Sequence, residues 1–464
     1  MQQPPQQVAI VPHTHWDREW YAPFQTYRVQ LVHLVDDLLD LLEGDPRYTR
    51  FLLDGQTAVV DDYLEVRPQA AVRIEALANS GRLQVGPWMI LMDEFMVSGE
   101  TIVRNLQLGL RRAAEIGGPA AMRVGYLPDM FGHVAQMPQI LTQAGLHHCV
   151  VWRGVPSAID RTAFDWYAPD GSKVRAEYLY GSYSNGRDIP RDPANLVARA
   201  RGYRSELGDA QLPGGGMLLM NGSDHLLPQS WLGEVVEAAN AAQDEFRFEV
   251  TSLGEYVVAQ PTDGLPSWHG ELRSGARANV LMGVASNRVD VHMACAAAER
   301  ALERVAEPLC ALYLPAAQSP DALLGIAWRQ LVLNSAHDSS CACSHDEVVE
   351  AVRVRYQEAS RRRGTHQGRA RRIGEDGRRT RRLHGGREPD GGGPRRTGGA
   401  ADPRHRPGAP RRRHERRCHP RAGREHARRR GHLHHRGGPE DPLGAGDDAR
   451  PRARGCAHPP SGAR

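Results

Sequence analysis

Lysine is almost missing from this chain, and its scarcity marks a division into two parts of different chemistry. Lys173 is the only lysine among 464 residues, although Lys and Arg together number 59. From residue 361 onward there are 30 Arg against 11 Asp and Glu, a balance of +19. Because the whole chain carries +4, residues 1–360 carry a balance of −15. The basic character of the sequence therefore belongs to its last hundred residues alone.

Residues 361–464 also lack Phe, Trp and Tyr. They bury too little apolar surface to offset chain entropy, so we predict a disordered tail. Arginines that contact nucleic acid usually alternate with aromatic residues that stack on bases, so no nucleic-acid partner is expected. One lysine among many arginines suggests GC-rich coding DNA, which yields Arg, Gly, Pro, Ala and His when translated out of frame. We interpret the tail as out of frame; a natural disordered linker is the other interpretation.

We also expect no membrane span, no secretory leader and no paired cysteines. No apolar stretch approaches the ~18 to 20 residues that cross a bilayer, so no membrane partner is expected. The amino terminus, MQQPPQQ, has no basic residue before the first apolar run, which is atypical of a secretory signal. Seven cysteines without a C-x-x-C pair indicate free thiols in a reducing compartment. We therefore expect a cytoplasmic protein.

Short apolar runs alternate with helical stretches through roughly the first 270 residues. VAIVP, RFLLDG and MLLMNG are typical of buried strands, and amphipathic segments follow several such runs. This alternation predicts a mainly parallel sheet, either open or closed into a barrel. Polar residues follow the strands, and the carboxyl end of a parallel barrel is where active sites lie. From about residue 288 the sequence becomes Ala- and Leu-rich with helical spacing, which predicts a helical bundle.

The first strand ends in an unusual cluster, VPHTHWDREWY at residues 11–21. Alternate side chains of an extended segment share a face, so His13, His15 and Asp17 point the same way. Imidazole and carboxylate groups that converge at a strand end could bind a divalent cation. Alternatively, one histidine caps the strand and the other groups are solvated.

Three later stretches carry the same residue types. They are GYLPDMFGH with Asp129, NGSDH with Asp224 and NSAHD with His337. Each of these residues alone is typical of a loop or helix cap. Taken in order with HTHWDREWY, however, the motifs resemble the α-mannosidases of glycoside hydrolase family 38, above all the bacterial branch that includes mannosylglycerate hydrolases. The resemblance extends from about residue 7 to residue 360.

The resemblance implies a metal site and a catalytic pair. The metal ligands would be His15, Asp17, Asp129 and His337, and zinc is the expected ion, although cobalt or another divalent ion is compatible with these ligands. His13 would hold a ligand in place. The mechanism of the family retains the anomeric configuration: Asp129 would attack the anomeric carbon, and Asp224 would act as acid and then as base. The residues implied to bind substrate are Trp20, Phe131, Arg153 and Asp338.

With this resemblance we expect a seven-stranded α/β barrel over residues 1–270, a helical bundle over 271–360 and the tail over 361–464. The expected substrate is an α-mannoside, either a small molecule or an oligosaccharide; self-association into a homo-oligomer stays open. Family members continue through β-sandwich domains where this sequence has the Arg-rich tail, which puts activity in doubt. Two alternative functions are a metal-dependent sugar deacetylase and a non-catalytic truncated remnant.

Overall fold

Strands and helices alternate along residues 4–360, the part of the chain that this computed structural model describes. The alternation confirms the predicted mixed α/β class. The strands of these residues are β1 (Gln6–Thr14), β2 (Phe51–Leu53), β3 (Leu83–Gln84), β4 (Gly125–Leu127), β5 (His148–Val151), β6 (Ala163–Tyr167), β7 (Lys173–Tyr178), β8 (Met217–Asn221), β9 (Phe246–Val250) and β10 (Ser267–His269).

The helices of the same residues follow the strands and then dominate the last ninety positions. They are α1 (Phe24–Gly44), α2 (Ala58–Leu64), α3 (Ala71–Asn79), α4 (Gly99–Gly117), α5 (Met137–Gln143), α6 (Pro193–Leu207), α7 (Leu232–Ala242), α8 (Leu253–Ala259), α9 (Val289–Ala301), α10 (Glu307–Tyr313), α11 (Asp321–Leu333), α12 (His337–Ser340) and α13 (346–360). None of the helices in the described part of the chain has the length and apolar character needed to cross a membrane.

The first sheet is parallel and is organised around β1. This strand pairs with β8 from Val8 to Pro12, with β9 from Gln6 to Ile10, and with β2 at its carboxyl end. β3 extends the sheet beyond β2. The apolar, β-branched run that predicted a buried strand is indeed buried, since a strand covered on both faces can carry apolar residues at successive positions.

The second sheet has the order β10-β6-β7-β5-β4. β4, β5 and β7 run parallel to one another, and β6 is antiparallel to β7. Side chains from both sheets meet in one apolar core cluster, so the sheets enclose a common interior. Its members include Val11, Leu52, Tyr126, Val150, Leu218 and Met220.

The predicted closed seven-stranded barrel is not confirmed, because the described residues form two open sheets. At one junction the side chain of Asn185 occupies the free edge of β8. Its amide nitrogen donates to Leu218 O (2.9 Å), and its oxygen accepts from Met220 N (2.7 Å). Gly186 N donates to Met220 O at 2.9 Å. Backbone groups that would pair with β7 in a closed barrel are therefore satisfied by a loop.

At the other junction β3 does not pair with β4. β3 is only two residues long, and Pro87, which follows shortly after it, has no amide hydrogen to donate. A single backbone hydrogen bond, from Met122 N to Val85 O at 3.2 Å, links the two sides. The sheets therefore meet through packing and isolated contacts rather than a continuous ladder.

The carboxyl-terminal helices have an apolar cluster of their own and a backbone connection to the sheets. The helices α9, α11 and α13 occur where helical spacing predicted them, and their buried side chains, including Val291, Trp328 and Tyr356, pack together. Met92 and Ala336 form an antiparallel bridge that joins this region to the segment after β3. The domain boundary at residue 270 stays a prediction. The predicted disordered tail, 361–464, lies outside the described residues.

Candidate active site

The end of β1 is the first component of the site. His15 lies just beyond the strand and forms a parallel bridge with Asp224, which follows β8. His13 and His15 are both fully buried. His13 Nε2 lies 2.8 Å from the carbonyl oxygen of Tyr183, and burial lowers the pKa of His13 to about 4. This neutral histidine therefore anchors the neighbouring loop and does not join the cluster described next.

His15, Asp17 and His337 converge on one point from two ends of the chain. His15 Nε2 lies 3.2 Å from Asp17 Oδ1, and His337 Nε2 lies 3.3 Å from the same oxygen. One donor atom from each of the three residues lies within 4.8 Å of the others. All three atoms are buried, and none has a partner with hydrogen-bond geometry. Such atoms are costly to bury unless something satisfies them.

Asp129 lies close to the two histidines of this group. Its Oδ2 atom lies 3.8 Å from His15 Nε2 and 3.6 Å from His337 Nε2. Its Oδ1 atom accepts from Arg153, with Nε at 2.7 Å and Nη2 at 2.6 Å. Burial by itself raises the pKa of Asp129, but His337, His15 and Arg153 together hold it below its ordinary value. We call His15, Asp17, Asp129 and His337 the four-residue cluster.

The four-residue cluster fits a divalent cation. Two imidazole nitrogens and two carboxylates are a donor set that zinc accepts. Burial alone would lower the pKa of His337, yet Asp338, Asp129 and Asp17 raise it to about 10. The carboxylates therefore create an electrostatic potential that favours positive charge within the four-residue cluster. His15 Nε2, Asp17 Oδ1 and His337 Nε2 lie there without a hydrogen-bond partner.

Asp54 orients His15 from behind. Its Oδ2 atom accepts from Trp16 N and from Gln56 Nε2, each at 2.8 Å. It also lies 2.9 Å from His15 Nδ1, a close contact between the carboxylate and the ring that lacks hydrogen-bond geometry. A carboxylate at Nδ1 leaves Nε2 directed at the four-residue cluster, which is how protein metal sites commonly fix the ligating tautomer.

Asp224 lies beside the four-residue cluster, on the loop after β8. Its Oδ1 atom accepts a hydrogen bond of 2.7 Å from the hydroxyl of Tyr183. His225, the next residue, has a positive φ of 55° and accepts a hydrogen bond from Asp17 N at 3.1 Å. The loop therefore presents a carboxyl group to the site and at the same time holds the segment that carries Asp17.

A cavity of about 470 Å³ opens onto these groups. Seven of the nine residues predicted to form the site line it: Asp17, Trp20, Asp129, Phe131, Arg153, Asp224 and Asp338. The other two, His15 and His337, lie directly behind the carboxylates. A larger cavity, of about 960 Å³, lies beside β1 and β9 and is lined by none of the nine residues. The chemistry identifies the smaller cavity as the candidate active site.

Aromatic and acidic side chains shape the wall of this cavity. The Phe131 ring packs edge-on against His337 with ring centres 5.5 Å apart, and Trp20 lies against Tyr21 with centres 4.0 Å apart. Asp338 Oδ2 lies 3.7 Å from His337 Nε2, and burial raises the pKa of Asp338 well above its ordinary range.

Glu19 connects the first motif to the carboxyl-terminal helices. It is 2% exposed and accepts a hydrogen bond of 2.6 Å from the hydroxyl of Ser339. The guanidinium of Arg355, on α13, also donates to Glu19 and to the side chain of Asn334. The loop that carries Asp17 is therefore joined to α12, which begins at His337, by the Ser339 hydrogen bond, and to α13 by the Glu19–Arg355 ion pair.

Local sequence patterns indicate only some of these supporting residues. Asp54 directly follows the apolar residues Phe51–Leu53, as the other polar residues of the site follow their strands. Glu19 lies within the VPHTHWDREWY stretch, but nothing local indicates its partner. Tyr183 and Arg355 have no pattern that could have identified them.

Comparison with known proteins shows which family this chain belongs to. Residues 5–271 match the family described as "Glycosyl hydrolases family 38 N-terminal domain". The chain belongs to glycosyl hydrolase family 38. The family predicted from the four motifs is therefore confirmed.

Relatives in family 38 are longer than this chain. It is 35% identical over 370 residues to a Halalkalibacterium halodurans protein described as "Putative mannosylglycerate hydrolase", covering 75% of this chain and 40% of that protein. Human alpha-mannosidase 2C1 is 26% identical over 364 residues, which cover 75% of this chain and 33% of the relative. The crystal structure of an alpha-mannosidase from Enterococcus faecalis V583 superposes with a TM-score of 0.75 at 33% identity, over 80% of this chain and 43% of that one. The chain thus spans less than half the length of these relatives.

Proposed function

We propose that this chain carries the active site of a metal-dependent α-mannosidase that retains the anomeric configuration. The observation that supports the proposal most directly is the convergence of His15, Asp17, Asp129 and His337 at the base of a cavity that Asp224 also lines. The motifs that supply these residues belong to a family of glycoside hydrolases.

A divalent ion, with zinc as the proposed species, would be held by the four-residue cluster. When bound, it would supply positive charge that engages sugar hydroxyl groups and supports the distorted, oxocarbenium-like form of the sugar. The buried, unpartnered atoms His15 Nε2, Asp17 Oδ1 and His337 Nε2 support this assignment. Asp54 would keep His15 in the ligating orientation.

Asp129 would act as the nucleophile. Its carboxyl group must be ionised to attack the anomeric carbon, and its lowered pKa supports that state. Arg153 contacts Oδ1 through two nitrogens, which holds this oxygen in place and leaves Oδ2 directed at the two histidines. The product of the attack is a covalent glycosyl-enzyme in which Asp129 is bonded to the anomeric carbon.

Asp224 would protonate the departing oxygen and then remove a proton from the attacking water. In retaining enzymes the two carboxyl groups lie about 5 to 5.5 Å apart, because no water stands between them in the first step. Tyr183 donates to Asp224 Oδ1 and so orients the carboxyl group toward the cavity.

The substrate would be an α-mannoside, either a small molecule or an oligosaccharide. Trp20 and Phe131 offer apolar ring faces or edges against which the C–H groups of a sugar can pack. Asp338, at the cavity wall, would accept hydrogen bonds from sugar hydroxyls. Arg153 would act through Asp129 rather than through the sugar.

Two alternatives differ in the role of Asp129. A sugar deacetylase would use Asp129 as a ligand or base and would never bond it to carbon; the family match does not favour this chemistry. A non-catalytic remnant would bind metal without turnover. The closed seven-stranded barrel, the domain boundaries at 270 and 360, the cytoplasmic location and the homo-oligomer remain sequence predictions.

Trapping the glycosyl-enzyme tests the proposal. The full chain, loaded with zinc, is incubated with a slow fluorinated mannosyl substrate, and the peptide that contains Asp129 is analysed by mass spectrometry. We expect a mannosyl adduct on Asp129, and no adduct in the Asp129→Asn variant or after chelation. Release of acetate from an acetylated sugar without any adduct would favour the deacetylase. Folded, metal-loaded protein that turns over neither substrate would favour the remnant.

A further inference from the structure

The four-residue cluster is assembled from three chain segments that are far apart in sequence, and one short stretch touches all of them. Residues 91–94, which we call the 91–94 segment, follow β3 and are almost completely buried. Their sequence is Leu-Met-Asp-Glu. The proposed mechanism gives none of them a role.

The first contact of the 91–94 segment is with the strand end that carries His15. Leu91 N donates to Gln56 Oε1 at 2.9 Å. The amide nitrogen of Gln56 donates in turn to Trp16 O at 2.9 Å and to Asp54 Oδ2 at 2.8 Å. One side chain therefore connects the segment to the backbone beside His15 and to the carboxylate behind its ring.

The second contact is with the turn that carries His337. His337 N donates to Leu91 O at 3.1 Å, and Asp93 N donates to Ser335 O at 3.0 Å. These two bonds flank the bridge between Met92 and Ala336. The backbone of His337 is thus held directly by the 91–94 segment.

The third contact is with the loop that carries Asp129 and Phe131, and it depends on Glu94. Glu94 Oε1 lies 2.6 Å from His133 Nδ1, and Glu94 Oε2 accepts from Val134 N at 2.9 Å. Both side chains are inaccessible to solvent. On its other side His133 exchanges two backbone hydrogen bonds with Leu272, of 2.8 and 2.9 Å. Glu94 therefore fixes the end of the loop in two places at once.

We propose that the 91–94 segment holds the three chain segments of the metal site in their relative positions. Glu94 is a positioning residue that fixes the position of the Asp129 loop relative to His15 and His337. Glu94 does not line the candidate active-site cavity and is not one of the four proposed ligands; it acts through His133 and Val134. The inference rests on the proposed metal site, so the experiment has a readout that does not need the ion.

The first test replaces Glu94 by glutamine in the full chain. Glu94→Gln keeps the volume and one acceptor but loses the charge-assisted bond to His133. Loss of groups that orient ligands typically weakens metal binding 10- to 100-fold, so we expect Co²⁺ to bind at least about tenfold more weakly, with an altered visible absorption spectrum. In metal-free protein we expect faster hydrogen exchange at the amides of Val134 and His337.

Glu177→Gln is the matched control. Glu177 is also 2% exposed and also pairs with a basic side chain, Arg175 Nη1 at 2.8 Å, but its other partner is Tyr256, which belongs to the core cluster shared by the two sheets. We expect it to lower stability while leaving Co²⁺ affinity within about twofold of wild type. Equal losses of Co²⁺ affinity in both variants would overturn the proposal, because burial alone would then explain the effect.

His133 provides a second pair of variants should Glu94→Gln not fold. His133→Asn keeps a nitrogen donor at the position of Nδ1, whereas His133→Leu removes it. We expect His133→Asn to bind Co²⁺ more tightly than His133→Leu; equal affinities would overturn the role of Glu94. A wild-type chain that binds no Co²⁺ would refute the metal site itself. In that case, unchanged hydrogen exchange at the amides of Val134 and His337 in the Glu94 and His133 variants would also refute the role of the 91–94 segment.

Discussion

Replacing Asp54 with asparagine should weaken metal binding and leave the fold nearly intact. Asp54 is fully buried and has a positive φ of 50°, a conformation that asparagine tolerates better than most residues. Its Oδ2 atom faces three nitrogens, of Trp16, Gln56 and His15, between 2.8 and 2.9 Å away. Asparagine keeps the shape and one oxygen acceptor, so the change that matters is the loss of negative charge beside His15.

The expected loss of metal affinity is 10- to 100-fold, which is typical when the partner of a ligating histidine is removed. This factor corresponds to about 1.4 to 2.7 kcal/mol of binding free energy. The free energy of unfolding of the metal-free chain should fall by less than about 2 kcal/mol, since at least one of the buried donors keeps an acceptor. Asp54→Ala would be less informative, because it leaves Trp16 N and Gln56 without a partner.

Competition between the protein and a chromophoric chelator for Zn²⁺ measures the affinity, and urea unfolding monitored by circular dichroism measures the stability. Asp36→Asn is the control, because Asp36 also accepts from two side chains, the Tyr63 hydroxyl at 2.7 Å and Arg67 Nε at 3.3 Å, but lies on α1. An Asp54→Asn protein with the Zn²⁺ affinity of wild type would refute the reasoning that Asp54 orients His15.

Three further predictions concern other parts of the site. Arg355→Ala leaves Glu19 buried without its cation, so urea unfolding should show a loss of about 3 kcal/mol; a loss below about 1 kcal/mol would contradict the buried ion pair. Tyr183→Phe removes the donor to Asp224, so kcat for an aryl α-mannoside should fall about tenfold or more with little change in KM, whereas an unchanged kcat would contradict a role for this hydrogen bond. Zn²⁺ at a hundred times its Kd should stabilise the chain by about 2.7 kcal/mol in thermal or urea unfolding, and no stabilisation would contradict a site formed only in the folded state.

Local sequence patterns predicted the parts of the site that lie directly after strands. The apolar run before His13 identified β1, and the alternation of side chains in an extended segment correctly placed His15 and Asp17 near one another. The amphipathic segments predicted to follow the apolar runs likewise include α1, whose buried residues recur with helical spacing. These features depend on neighbours within a few positions, so they can be recognised without the fold.

Contacts between distant single residues could not be predicted in the same way. Asn185 occupies the edge of β8 with one side-chain amide, and nothing in its neighbourhood distinguishes it from an ordinary loop asparagine. Glu94 and His133 are 39 positions apart, and their pairing depends on how the 91–94 segment lies between the two loops. The prediction of a closed barrel therefore stays unconfirmed, because strand patterns do not show where a loop side chain occupies the edge that a neighbouring strand would pair with.

The most direct test of the account is a crystal structure of the full chain soaked with Zn²⁺, with anomalous diffraction recorded on both sides of the zinc absorption edge. The account predicts one strong peak about 2.0 to 2.2 Å from His15 Nε2, His337 Nε2 and oxygens of Asp17 and Asp129. A peak bound elsewhere, or no peak in this cluster at saturating zinc, would contradict the claim that these four side chains form a metal site.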